Sequence, residues 1–252
     1  MKTSGNTILM TGGGSGIGRE LAREFQALGN TVIVAGRRAS ALEETIGGRA
    51  SMHARTLDVG NAAAIETFAA ALLADFPALN VVFNNAGIMA TEDWKADPVD
   101  LAVAEATVAT NILGPIRMTA AFLPHLRKQP SARVVNVTSG LAFVPLAHTP
   151  AYSASKAAMH AWTQSLRWQL RGTNVEVIEL APPGVQTDLT PGQSTRDAYM
   201  PLKDFIAETM ESFGREDTPD EVVVQRAKML RAAQAEGNFD QIFEMLNAHY
   251  EG

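Results

Sequence analysis

The sequence predicts an α/β fold: a doubly wound parallel sheet of about six or seven strands between two layers of helices, a three-layer α/β/α single domain. Three observations carry the prediction. Short β-branched runs alternate with longer helical stretches through the first 185 residues. The runs are continuously apolar, not alternating, as strands buried on both faces must be. The first run leads directly into a glycine cluster and then a helix, TILMT–GGGSGIG–RELAREF. Strand–helix–strand units repeated in this way close into a parallel sheet with right-handed crossovers.

The elements follow in order. TILMT (7–11) is the first strand, and the helix RELAREFQALG ends at Gly29, a C′ glycine. TVIVAG (31–36) and ARTLDV (54–59) are the second and third strands. Asn61 is a good N-cap for the helix NAAAIETFAAALLADF. NVVFNN (80–85) is the fourth strand, followed by a long helical run over 99–126. RVVNVTS (133–139), a helix from 151 to 171, and VEVIEL (175–180) complete the regular pattern. After Val185 the composition turns polar and turn-rich, so 188–215 is expected to form a substrate-binding loop and helix. Thr218, Pro219, Asp220 and Glu221 read as the capped start of C-terminal helices over 218–250.

Composition excludes several functions. The 252 residues carry a net charge of −6, so a nucleic-acid surface is not expected. With no cysteine there is no disulfide, no thiolate metal site and no cysteine nucleophile, which fits a reducing, cytoplasmic setting. No apolar stretch reaches the roughly 18 residues of a membrane span. The five histidines show no HExxH spacing, so they read as surface or satisfied residues and no metal is expected.

The glycine turn calls for a ligand. A helix N-terminus offers unpaired N–H groups and a partial positive charge, and glycines let an anion such as a dinucleotide pyrophosphate reach the backbone. Gly12, Gly14, Ser15, Gly16, Ile17 and Gly18 are therefore candidate cofactor contacts, with a purely structural tight turn as the alternative. An acid about 20 residues after such glycines bonds the adenosine ribose in NAD-binding folds. Here Gly36 fills that slot, followed by Arg37 and Arg38. Arginine binds a 2′-phosphate bidentately, so NADP(H) is favoured and NAD(H) is the alternative. Otherwise these are two exposed arginines at a helix start.

Tyr152 and Lys156 lie four apart in a helical pattern and share one face. A free phenol has a pKa of about 10, and a nearby ammonium should lower it. Tyr152 would then act as general acid in reduction and general base in oxidation. Ser139 ends a strand, where its hydroxyl can hold a substrate oxygen against Tyr152 or simply bond backbone.

Taken together, TGGGSGIG, the segment Asn84-Asn85-Ala86-Gly87, Asn111, Ser139 and Tyr152-x-x-x-Lys156 resemble the short-chain dehydrogenase/reductase family in its single-domain branch of roughly 250 residues. The resemblance runs to about Thr187. It implies a Rossmann-type NAD(P)-binding domain and an oxidoreductase moving hydride between nicotinamide and a carbonyl or secondary alcohol. It implies that Lys156 also holds the nicotinamide ribose, and that Asn111 kinks its helix and holds a water linking Lys156 to solvent. It implies too that Asn85, Ala86 and Gly87 partly line the adenine ribose and Asp58 and Val59 the adenine. Pro182, Gly184, Val185 and Thr187 would lie by the nicotinamide. The substrate pocket is expected from segments flanking the triad: Leu141, Phe143 and His148, with Met89, Val144, Tyr199 and Phe205. These are mostly apolar, so a small, mostly apolar carbonyl compound is expected. A homodimer or homotetramer through the two long helices is implied by the resemblance. The alternative is a catalytically silent NADP(H)-binding regulatory or scaffold protein of the same fold.

Overall fold

A computed structural model describes residues 1–248. The expected C-terminal helical span therefore ends two residues outside the described part, and His249 lies there too. Seven strands form one sheet, all parallel: β1 Thr7–Thr11, β2 Thr31–Gly36, β3 Met52–Thr56, β4 Leu79–Asn84, β5 Ala132–Val137, β6 Val175–Ala181 and β7 Glu221–Val223. Their order is β3-β2-β1-β4-β5-β6-β7. The chain winds outward in both directions from the junction of β1 and β4, and ligands of such sheets bind beyond the strand carboxyl ends at that switch point.

Each face of the sheet has its own core. One face carries α1 (Gly16–Ala27), α2 (Ala39–Ile46) and α7 (Leu202–Gly214). Its centre is a ring cluster: Phe25 of α1 lies 5.4 Å from Phe83 of β4, and both lie 5.9 Å from Phe213 of α7. The other face carries α3 (Ala62–Asp75), α5 (Gly114–Leu126) and α6 (Pro150–Gln169). α4 (Ala102–Thr107) leads into α5 through a π-helical turn, Val108–Leu113. Asn61 caps α3 as expected, accepting from the Ala64 N–H at 3.2 Å. Gly29 follows α1 at φ +85°.

Two expectations need correction. The third strand is Met52–Thr56, not 54–59; Leu57 and Val59 remain buried but lie past its end. The segment read as a helix start at 218–221 becomes β7 instead. Its Val222 is buried while its flanks are partly exposed, and the Asp220 carbonyl accepts from the Glu179 N–H at 2.8 Å, as an added edge strand requires. Helix resumes only at α8 (Lys228–Ala232) and α9 (Phe239–Asn247). Among the described residues, no helix is long and apolar enough to cross a membrane.

Candidate active site

Two clefts meet over the carboxyl ends of β1 and β4. One, about 650 Å3, is lined by Gly14, Arg37, Arg38, Asp58 and Val59. The other, about 830 Å3, is lined by Gly16, Ile17, Gly18, Asn85, Ser139, Tyr152, Lys156, Pro182, Val185 and Thr187. Gly12, Ser15, Ala86 and Gly87 line both, so the two form one continuous groove.

The glycine turn has a double reason. Gly12 stands at φ +66°, and a Cβ there would lie 2.8 Å from the Ala86 backbone. A Cβ on Gly18 would strike the Asn85 amide and the Gly12 carbonyl. These glycines let the turn press against the 84–87 segment, whose geometry Thr11 sets. Its Oγ1 accepts from the N–H groups of Asn85 at 3.0 Å and Ala86 at 3.1 Å, and donates to the Phe83 carbonyl at 3.0 Å. Asn85 returns the contact, its amide donating to the Thr11 carbonyl at 2.9 Å.

The head of α1 fits a phosphate-bearing group. Ser15 takes the N-cap position in extended conformation, yet its side chain makes no cap bond, and the first turn holds no acid. The opening N–H groups of α1 therefore face the groove with no carboxylate to compete for them. At the far end, Gly36, Arg37 and Arg38 line the groove together with Asp58, and the position after β2 that would hold an acid is the glycine.

β5 and α6 bring the reacting side chains together. Ser139 follows β5, and its Oγ accepts from the Leu141 N–H at 3.1 Å. That leaves its proton to face the Tyr152 hydroxyl, whose pKa it pulls down. Lys156 sits one turn along α6 with its Nζ 5.5 Å from the Tyr152 ring centroid, donating to the Val137 carbonyl at 2.9 Å. All three are buried. Burial dominates their ionisation: it pushes the phenol up to about 12, partly offset by the Ser139 hydrogen bond and reinforced by Tyr199, and it pulls the ammonium down to about 8. The expectation that Lys156 lowers the phenol is thus not met. The low-dielectric pocket penalises phenolate and ammonium alike.

Asn111 lies inside the π-helical turn, so the expected kink is a local widening of the helix. Its side chain brackets the Ile88 backbone, accepting from the N–H and donating to the carbonyl at 2.9 Å each, and donates to Ser155 Oγ at 3.2 Å.

The substrate-side expectations divide. Leu141 holds Ser139 through its backbone. Phe143 does not line the groove; it lies 4.9 Å from both the His160 ring and the Arg231 guanidinium carbon. Val144 and Phe205 are fully buried core residues. Gly184 lies beneath Tyr199, a Cβ position there being 3.1 Å from the ring. His148 stands near the head of α6, its pKa lowered by burial and by Arg196.

Sequence reasoning missed several contributors. Gln193, buried in the loop, donates to the Val185 carbonyl at 2.8 Å and to Thr187 Oγ1 at 3.0 Å, fixing the two residues expected beside the nicotinamide. No local pattern marks it. Beneath Ser139, the fully buried Glu179 accepts from Thr138 Oγ1 at 2.6 Å and meets His160 Nδ1 at 2.8 Å. Glu221 of β7 approaches the same place, and Arg231 of α8 donates to it at 2.7 Å. A glutamate in an otherwise apolar strand, VEVIEL, was the available signal.

A parallel sheet wound both ways from β1, with a glycine-lined groove and a buried Ser–Tyr–Lys group at its end, defines a nucleotide-binding α/β oxidoreductase. The short chain dehydrogenase family model matches residues 6–198, and the chain belongs to that family. It is 40% identical over 251 residues to the uncharacterized oxidoreductase DltE of Bacillus subtilis, covering 98% of each chain. It is 35% identical over 187 residues to sulfoacetaldehyde reductase 2 of Chromohalobacter salexigens, covering 73% of this chain and 74% of that protein. In three dimensions it is similar to a Burkholderia cenocepacia short chain dehydrogenase in complex with NADP, at TM-score 0.80 and 23% identity over 97% of this chain and 98% of that one.

Proposed function

We propose that this chain is an NADP(H)-dependent reductase or dehydrogenase acting on the carbonyl or secondary alcohol of a small molecule. One observation carries the reading: Ser139, Tyr152 and Lys156 line the same cleft as the residues at the head of α1. When bound, the cofactor's nicotinamide gives or takes the hydride. The protein supplies position and protons.

Ser139 holds the substrate oxygen against the Tyr152 hydroxyl. Tyr152, kept protonated by burial, gives its proton to that oxygen in reduction and must recover it in oxidation. Lys156 bonds the nicotinamide ribose beside Tyr152. The Asn111 segment, through its backbone, carries the proton path onward from Lys156. Thr187 and Val185, held by Gln193, orient the nicotinamide. Arg37 and Arg38 favour a 2′-phosphate where an NAD-selective site carries an acid; NAD(H) use is the alternative. Nothing in the site favours the catalytically silent alternative.

We also infer self-association through the outer helix layer. Leu101, Val108 and Leu113 on the α4–α5 ribbon and Trp168 on α6 are large apolar side chains that are 37–66% exposed.

The test is NADPH oxidation against a panel of ketones, aldehydes, quinones and enones, with and without an acidic group, repeated with NADH. Turnover that disappears in Tyr152→Phe is expected. Undiminished turnover in that variant, or no turnover on any member, overturns the reading.

A further inference from the structure

The rim of the cleft beyond Tyr152 carries a group that the proposed chemistry does not use. The chain from 184 to 200 folds back on itself there. The Gly184 carbonyl accepts from the Met200 N–H at 2.8 Å, and the Gln186 N–H donates to the Met200 carbonyl at 2.9 Å. The Gln186 side-chain amide donates to the Arg196 carbonyl at 3.0 Å. This closure lays the Tyr199 ring over Gly184, one residue from the cleft wall formed by Pro183 and Val185.

Arg196 stands on that ring. Its Nη1 donates to Tyr199 Oη at 3.3 Å, and its guanidinium carbon lies 5.4 Å from the ring centroid. Among the described residues it joins no ion pair. A guanidinium presents five N–H donors in a planar fork that matches two oxygens of an acid. Two neighbours tie this cation to the reacting end. Tyr199 acts electrostatically on the Tyr152 phenol, and Arg196 acts on His148, which lies in the turn just ahead of α6, four residues before Tyr152.

We propose that Arg196 is the anion-recognising residue of this site, and that the substrate carries a carboxylate or sulfonate a short apolar span from its carbonyl or alcohol carbon. The inference rests on the oxidoreductase reading and names its substrate class. Tyr199 underneath restricts the fork, so less side-chain freedom is lost when an acid binds. Asp188, which lines the cleft beside Thr187, repels an acidic group from the cofactor end. The two charges together set the substrate's direction: acid toward Arg196, carbonyl toward Tyr152.

The test compares 3-oxobutanoate with its ethyl ester in NADPH-dependent reduction. The wild-type protein should prefer the acid in kcat/KM by about tenfold or more. Arg196→Gln should lower the acid-to-ester ratio by about 10- to 100-fold, chiefly through KM, in line with loss of a charged hydrogen bond. Arg196→Lys should restore part of it. An ester reduced as well as the acid, or a ratio unmoved by Arg196→Gln, overturns the inference and leaves the oxidoreductase reading standing. If neither compound is reduced, calorimetry of 3-hydroxybutanoate with the NADP+-loaded protein decides. Binding to wild type that Arg196→Gln removes supports the inference, and no binding overturns it. Failure of the underlying reading shows separately, as no turnover on any member of the panel, acidic or neutral.

Discussion

The phenol and the ammonium at the centre of this site are both held where burial opposes their charged forms. Tyr152 is the simpler case. Removing its hydroxyl leaves the ring and its packing in place, so Tyr152→Phe should lower kcat by about 10²- to 10⁴-fold. NADPH affinity, read by fluorescence titration, should stay within about threefold. For Lys156 the sign must be worked through. Its folded pKa is lowered from 10.5 to about 8 by burial. The unfolded chain therefore binds more protons between those values, and stability from this group rises as pH climbs through that window. Below about 8 the buried charge costs the cofactor-free protein up to about 3 kcal/mol. Lys156→Met should thus be inactive yet more stable in urea at pH 7, with its advantage narrowing toward pH 10. A variant less stable than wild type at pH 7 would contradict this. Tyr152, Lys156 and Ser139 were legible because each pairs a distinctive residue type with a fixed spacing. Their ionisation was not legible, since it depends on how much protein surrounds them, and no spacing records that.

The elements repay a different kind of reading. Strands such as TILMT, TVIVAG and RVVNVTS announced themselves because burial on both faces leaves no polar position. β7 did not: Thr218, Pro219, Asp220 and Glu221 carry helix-capping chemistry, but Val222 and Val224 find a buried place beside β6, and tertiary packing overrides local preference. The π-helical turn at 108–113 was visible only as a misplaced asparagine in a helical run. The Phe25–Phe83–Phe213 cluster joins α1, β4 and α7, elements far apart in sequence, and no local window contains it. Phe213 is fully buried. Phe213→Ala should therefore cost about 3–5 kcal/mol in chemical denaturation. A loss under about 1 kcal/mol would mean that α7 packs independently of the nucleotide-binding half.

At the scale of the whole molecule, the groove separates cofactor choice from substrate choice. Arg37 and Arg38 line one end, and Ser139, Tyr152 and Lys156 the other. Arg37→Asp should shift the NADPH-to-NADH ratio of kcat/KM toward NADH by about tenfold or more, the range of a charged hydrogen bond lost and a repulsion gained. The acid-to-ester preference should stay unchanged. An unmoved cofactor ratio would refute the assignment of that end. The cofactor end was readable from the strand–glycine–helix order and the missing acid. The substrate end was not, because its loop has no period and its residues come from segments 40 or more positions apart; Phe143 and Phe205, apolar and nearby in sequence, turned out to pack elsewhere.

The counter-charge for Glu179 arrives late. Arg231 of α8 pairs with Glu221 of β7 and acts electrostatically on Glu179, which accepts from Thr138 beside Ser139. The loop that carries Ser139 is thus braced from the outer edge of the sheet, by residues that never enter the groove.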